Sequence, residues 1–400
     1  MKDLFKELDC ELNSLVIFRG ILKNSTVAAL AELFESGGDT ALQVKRYSAF
    51  VSELYKHSEN LSRYMLKMVL DDENAYIVSR AQGRPVGELI ESCVKNELEV
   101  IQKISRITSA QITGEINYSG FLPDWKTEEI NFSAEYAARI ANIGSEGYGI
   151  YSTNHVFMLS GREIIPVRHP DPIRLSDLYD YDRERQAVID NTLALLSGKP
   201  AQNTLLYGDA GTGKSSTVKA IVNEYYDRGL RLIEVTKEQL RDLPFVIDKI
   251  SKNPLKFIIF IDDLSFAADD NCFGALKATL EGTVSAKSDN IAIYATSNRR
   301  HLVKESFSDR SGDDIHRNDT IQELISLSSR FGLSVNFSKP DKKSYLNIVS
   351  ALAKKHGIYM DGQQLSIEAE AFALAGKGRS ARTAKQFVNQ LINELPEGEK

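Results

Sequence analysis

The amino-acid sequence predicts an α/β protein: a parallel sheet carrying a P-loop and completed by a helical lid, preceded by a mainly α N-terminal domain with some β. Three observations predict it. Residues 203–218 read as a short apolar strand, then Gly208-Asp209-Ala210-Gly211-Thr212-Gly213-Lys214-Ser215, then a helix, matching G-x-x-x-x-G-K-[ST] at every fixed position. Further apolar runs, LRLIEVT at 230–236, FIIFIDD at 257–263 and NIAIYATSN at 290–298, are separated by helical patterns, as in a parallel sheet covered on both faces. Residues 1 to about 110 instead show helical periodicity with few breakers.

Taken in order, Leu4, Leu8, Leu12 and Leu15 recur at helical spacing, and helical stretches follow near 25–36, 40–70 and 86–109. His57 stands alone there, without a partner at catalytic spacing. From 111 to 170 the texture turns to Gly, Pro and aromatics around Trp125, whose expected use is a small core rather than a binding face. GYGIYSTNHVFMLSGREIIPVRH suggests two or three strands, with turns at Ser152-Thr153-Asn154 and Ser160-Gly161. Two prolines then open an extended linker that becomes a helix from about 182 to 197, so the division expected is residues 1–170, 171–338 and 339–400. Leu178, Tyr179 and Tyr181 in this linker are placed either to flank a nucleotide base or simply to pack.

A P-loop turns its backbone N–H groups inward around phosphate, which its glycines permit and a Cβ would obstruct. Gly208 through Ser215, with Ser216, are therefore the candidate nucleotide-binding residues. The helix beginning near Lys214 adds its positive end, Lys214 can reach the β and γ phosphates, and the Ser215 hydroxyl can ligate Mg²⁺. Asp262 and Asp263 end a buried strand where the same geometry puts the P-loop. An acid there can hold Mg²⁺ through water and a second can orient the attacking water; Asp263 can also serve as a helix cap.

The remaining numbers bound the class. The chain has 400 residues, 42% of them hydrophobic and 26% charged, with a net charge of −6, which excludes a global basic field for nucleic acid. The three cysteines, Cys10, Cys93 and Cys272, show no zinc spacing and read as buried free thiols. The acidic N-terminus does not resemble a signal peptide, and the apolar run at 257–261 is far too short to span a bilayer, so a cytoplasmic protein with no membrane partner is expected.

GDAGTGKSS, FIDDLSF, IYATSNRRHL, SSRFGL and GRSARTAKQF, in this order, resemble an AAA+ ATPase, and specifically a bacterial AAA+ family whose cellular role has not been assigned. The resemblance covers about 172–395 and does not extend over the first 165 residues. It implies ATP and Mg²⁺ as cofactors, with Lys214 and Ser215 serving phosphates and metal, Asp262 as the Walker B acid and Asp263 beside it as the catalytic acid. Asn298 matches sensor 1, Arg330 resembles an arginine finger offered across a subunit interface, and Arg382 matches sensor 2 on the lid, with Arg379 its competitor. Such a finger can be worth about 10³ to 10⁵ in rate. Most AAA+ enzymes have Glu where this chain has Asp263, whose carboxylate reaches about 1.3 to 1.5 Å less far. Slow turnover is the consequence expected unless the strand sits closer or an extra water intervenes. Helicase-loader-like relatives also carry Asp-Asp here.

After Pro340 two helical stretches form the lid, with Ala384, Val388, Leu391 and Leu395 as its apolar stripe. The basic residues Lys377, Arg379, Arg382 and Lys385 can face ATP or nucleic-acid phosphates, ATP being the simpler use.

The function implied is an ATPase coupling hydrolysis to the remodelling of a protein or nucleic-acid client. Because the finger's target lies on another subunit, self-association into a ring or filament, commonly a hexamer in this superfamily, is implied as well. The strand ending at Thr236 passes straight into a helix, without the aromatic-hydrophobic-Gly loop that grips polypeptide, which disfavours threading. The alternatives are an ATP-switched assembly scaffold with little turnover, a helicase-loader-like DNA-associated factor, and a small-molecule P-loop kinase, the last disfavoured by the sensor and finger pattern.

Overall fold

The computed structural model describes residues 4–265, 272–281, 288–298, 328–376 and 378–394. The chain divides into two compact units, Met1–Thr153 and Asn154–Lys400.

The first unit is built of helices: α1 Leu4–Asn13, α2 Ser25–Phe34, α3 Thr40–Tyr55, α4 Leu61–Asp71, α5 Ala75–Ala81, α6 Glu88–Ser105, α7 Ser109–Thr113, α8 Phe132–Ala141, α9 Ile143–Glu146 and α10 Ile150–Thr153. Short polar side chains punctuate them. Asn24, Asp39, Asn60, Asn74, Thr108 and Asn131 each accept a hydrogen bond from a backbone N–H in the following first turn. Asn60 is why the stretch at 40–70 is two helices rather than one. The core gathers Leu8, Leu12, Phe50, Met65 and Ile101, all essentially inaccessible. Trp125 belongs to it, packed edge-on to Phe50 at 5.2 Å with its indole N–H donating to the Ile107 carbonyl at 2.8 Å. The buried carboxylate of Glu97 on α6 is satisfied by the backbone N–H groups of Val16, Ile17 and Phe18. The polar residues 152–154, expected as a turn between strands, instead include the end of α10.

The second unit is a seven-stranded sheet of order β2-β1-β4-β5-β6-β3-β7, formed by β1 Val156–Ser160, β2 Glu163–Pro166, β3 Thr204–Gly208, β4 Leu230–Val235, β5 Lys256–Ile261, β6 Ile291–Ser297 and β7 Leu333–Phe337. Among the described residues every pairing is parallel except β1 with β2, joined through the turn at Ser160-Gly161. Two features depart from the sequence expectation. A boundary after residue 170 groups β1 and β2 with the N-terminal domain, whereas β1 hydrogen-bonds to β4 and extends the second unit's sheet. Phe157 and Leu159 bury one side of β1, which the isolated sequence could not assign to a particular core. The other departure is β7, a strand of five residues with only a weak apolar pattern, which flanks the P-loop strand on its far side.

Helices α11 Asp182–Leu196, α12 Lys214–Tyr225, α13 Leu243–Ser251 and α14 Cys272–Glu281 accompany the sheet. Strand β5 is continuously buried from Phe257 to Ile261, as its unbroken apolar run requires when both faces are covered. The lid is α15 Lys342–Lys355, α16 Gly362–Ala375 and α17 Ala381–Glu394, with Tyr345, Ile348, Ala369, Ala384, Phe387 and Val388 in its core. Leu391 joins that core; Leu395 and Lys377 lie outside the described residues. The cysteines, expected to be buried, are not: Cys10 on α1 is exposed, and Cys93 on α6 and Cys272 on α14 are partly exposed, on helix faces that reach solvent. Among the described residues no helix is long and apolar enough to cross a membrane.

Candidate functional site

The carboxyl ends of β3, β5 and β6 open onto one cavity of about 740 Å³. Its walls come from four sources: the P-loop from Ala210 to Ser216; Asp262, Asp263, Thr296 and Asn298 at the neighbouring strand ends; the linker residues Asp171, Ile173, Leu178 and Tyr179; and the lid residues Ile348, Leu352, Lys355, Arg382 and Lys385. Such a crevice suits a nucleotide in size and in its mixture of apolar and polar walls.

Gly208 ends β3 at φ +130°, and a Cβ there would stand 2.2 Å from the Phe337 carbonyl oxygen, so the strand pair β3–β7 admits no side chain at this position. Gly208 and Asp209 are not among the cavity-lining residues. They hold the loop from behind: the Asp209 N–H donates to the Phe337 carbonyl at 3.1 Å, and its carboxylate accepts the Lys339 N–H at 3.0 Å. Gly211 lies against the lid; its carbonyl accepts the Arg382 N–H at 3.1 Å, and a Cβ would approach both Arg382 and Ser380 to 3.1 Å.

Lys214 begins α12 with 7% of its surface exposed. Its ammonium donates to the carbonyls of Gly208 at 2.8 Å and Asp209 at 2.7 Å, and to Asn298 Oδ1 at 3.2 Å. Burial pulls its pKa below the ordinary lysine value, while the carboxylates of Asp209, Asp263 and Asp262 pull it back. Asn298 is thereby a bridge, since its amide donates to Asp263 Oδ1 at 2.8 Å while its oxygen faces Lys214.

Asp262 Oδ1 accepts the Ser215 hydroxyl at 2.6 Å and the Thr296 hydroxyl at 2.5 Å. Hard oxygens from Ser215 and Asp262 therefore meet beside the phosphate loop. That donor set fits Mg²⁺, which is commonly held by one or two protein oxygens together with substrate phosphates. Among the described residues no group of three or more His, Cys, Asp or Glu is arranged to hold a metal alone.

The lid arginines separate cleanly. Arg379 is committed to Glu370 through two hydrogen bonds of 2.8 and 2.7 Å, whereas Arg382 lines the cavity. In the linker, Leu178 and Tyr179 line the cavity, and Tyr181 packs instead against Phe337 at 5.4 Å with its hydroxyl donating to the Ser338 carbonyl. Arg330 too lies outside the cavity walls. It immediately precedes the strand segment leading to β7, at the amino end of the sheet, opposite the carboxyl ends that carry the P-loop and the acids.

Sequence reasoning passed over three contributors. Thr296 sits two residues before Asn298, and alternation along β6 puts it on the same face, a signal that was available. Lys355, paired with Asp177 across the linker and lid, carried no such signal. Nor did Asn223, which lies nearly three turns into α12 yet donates from its amide to the Asp171 carbonyl at 2.7 Å and the Ile173 carbonyl at 2.8 Å, tying the linker wall to the P-loop helix.

The P-loop strand between β6 and β7, the acids on β5, the polar end of β6 and the three-helix lid over one cavity define the class: this is a protein of the AAA+ ATPase type. Residues 152–395 match the family model described as "Protein of unknown function (DUF815)", and the chain belongs to that family. A curated relative, the replication factor C large subunit of Staphylothermus marinus, is 28% identical over 123 residues, which make up 28% of this chain and 28% of the relative. The match thus spans well under two thirds of that relative's length. Two solved variants of Thermotoga maritima RuvB align over 56% of this chain and 65% of theirs, at TM-score 0.38 with 13% and 14% sequence identity.

Proposed function

We propose that this protein hydrolyses ATP in an oligomer and uses the cycle to remodel a protein or nucleic-acid partner. The observation that carries the reading is the division of the candidate residues: one cavity gathers Lys214, Ser215, Asp262, Asp263, Asn298 and Arg382, and Arg330 stands at the other end of the sheet. A five-residue strand spans about 16 Å, too far for an arginine side chain to reach its own cavity along β7. Arg330 is therefore suited to a neighbouring copy's nucleotide, which makes self-association part of the site.

Within the cavity, the P-loop N–H groups and the α12 N-terminus would hold the phosphates, with the Lys214 ammonium exchanging its carbonyl partners for β and γ oxygens. Ser215 and Asp262 would hold Mg²⁺, which would supply charge neutralisation to the phosphates. Asp263 would accept the proton of the attacking water, and Asn298, already bonded to Asp263, would keep that carboxylate oriented toward the γ-phosphate. Arg382 from the lid and Arg330 from the neighbour would meet the charge that spreads over the equatorial oxygens in the transition state.

The test is complementation. Lys214→Ala and Arg330→Ala are each expected to lose steady phosphate release; mixed, they should regain a part of it, because some interfaces then combine an intact P-loop with an intact finger. No recovery on mixing, with both variants still assembling, overturns the trans arrangement. ATP-dependent assembly with negligible release from the unaltered chain would replace the motor with an ATP-switched scaffold.

A further inference from the structure

The acid turn after β5 is held by one residue of the neighbouring strand. Thr296, 2% exposed, donates its hydroxyl proton to Asp262 Oδ1 at 2.5 Å, accepts the Asp263 N–H on the same oxygen at 2.9 Å, and accepts the Leu264 N–H on its carbonyl at 2.7 Å. Thr296 thus bonds three consecutive residues, 262, 263 and 264, sharing the Asp263 N–H with Asp262 Oδ1 at 3.1 Å. The polarity of the hydroxyl is settled by its partners: a carboxylate can only accept and an N–H can only donate. Between these holds Asp263 adopts φ +51°, one of three described non-glycine residues with positive φ.

We infer that Thr296 is the positioning residue of the acid pair, and that the left-handed turn it imposes is why the second acid is Asp. This rests on the hydrolytic reading of Asp263. In the left-handed region a side chain's Cβ crowds its own backbone, and Asp or Asn enters more readily than most residues because a short polar group hydrogen-bonds locally. Here the short carboxylate meets Asn298 Nδ2 at 2.8 Å and borders the cavity. A glutamate on an extended backbone and an aspartate on a left-handed one are different solutions to presenting a carboxylate. With the second acid on left-handed backbone, reach measured along the side chain alone misjudges the site.

The test uses the full chain with three readouts: phosphate release, ATP affinity by calorimetry, and thermal unfolding without nucleotide. Thr296→Val is expected to lower kcat at least about tenfold while KM for ATP stays within about threefold, and Thr296→Ser to keep kcat within about twofold. Asp263→Asn should lower kcat with an unchanged melting temperature, whereas Asp263→Glu should lower both, because only the former retains the side-chain type favoured at positive φ. Thr296→Val with wild-type kcat overturns the inference, as does a loss confined to KM, or an Asp263→Glu variant that matches wild type in turnover and melting. If Thr296→Val fails to fold, Thr296→Ser and the Asp263 pair still decide the matter. An unaltered chain that binds ATP without releasing phosphate would overturn the hydrolytic reading alone, since the melting order of the two Asp263 variants tests the turn independently.

Discussion

The P-loop and the acid turn lie at the carboxyl ends of β3 and β5, separated only by β6, and both need backbone in the left-handed half of φ space. They obtain it in opposite ways. The P-loop uses glycine at Gly208, Gly211 and Gly213, where the conformation is free and, at Gly208, a neighbouring backbone leaves no room for a Cβ. The acid turn must carry a carboxylate, so it places Asp263 there and secures it with Thr296. Where only the backbone has to turn, glycine suffices; where a side chain is to be presented, a second residue has to hold the strain.

Substitutions on either side can break or sharpen that contrast. The largest effect is expected from Lys214→Ala, which removes the buried ammonium from the phosphate loop: phosphate release should fall by about 10³, with weakened ATP binding by calorimetry. Gly208→Ala comes next. Its Cβ would collide with the Phe337 carbonyl, and a loss of about 2 to 4 kcal/mol should appear in denaturant melts. Asp263→Gly is the counterpart, since φ +51° is free for glycine; hydrolysis should drop about a hundredfold while stability changes by no more than about 1 kcal/mol. Equal destabilisation by these two substitutions would erase the distinction between the turns.

Smaller effects concern how the linker wall is held. Asn223→Ala frees the Asp171 and Ile173 carbonyls, and is expected to weaken ATP binding about tenfold while leaving inorganic tripolyphosphate, which lacks the base and ribose, within about twofold. The smallest effect is a pH dependence. With its amide donating to those carbonyls, Asn223 turns Oδ1 to His155 Nε2 at 3.1 Å. Burial lowers the pKa of His155 below its ordinary 6.5, Arg231 and Arg174 adding to the effect while Asn223 and Asp227 oppose it. The unfolded chain therefore takes up this proton at higher pH than the folded one. The stability contributed is present above 6.5 and lost as pH falls through the lowered value. Partial solvent exposure limits the change to a fraction of about 1 kcal/mol, which His155→Gln should remove when melts at pH 7 and 5 are compared.

Much of the site was legible because its chemistry is local. The P-loop needs its glycines, lysine and hydroxyl at fixed spacing, and the acids announce themselves by ending an unbroken apolar strand, so Lys214, Ser215, Asp262 and Asp263 could be assembled in advance. Less was legible where partners sit on other elements. The choice between Arg379 and Arg382 depends on Glu370, which captures the former from the preceding helix. Tyr181, which the sequence left open to flank a base or to pack, packs on Phe337, in a strand the sequence scarcely marked. The domain boundary moved for a similar reason: the alternation in β1 reports that one face is buried, not which sheet it joins.

Alone, the sequence determined the glycine-rich turn between strand and helix, the order of the principal strands and helices, and the two acids that end β5, because periodicity and motif spacing are properties of a chain read residue by residue. The tertiary structure decided how those pieces bear on one another: that Thr296 governs both aspartates, that Asn298 joins Lys214 to Asp263, and that Asn223 secures a wall it does not line. Each of these is a hydrogen bond across 33 to 84 residues of chain or between separate elements, and its energy depends on distances that exist only once the sheet has formed.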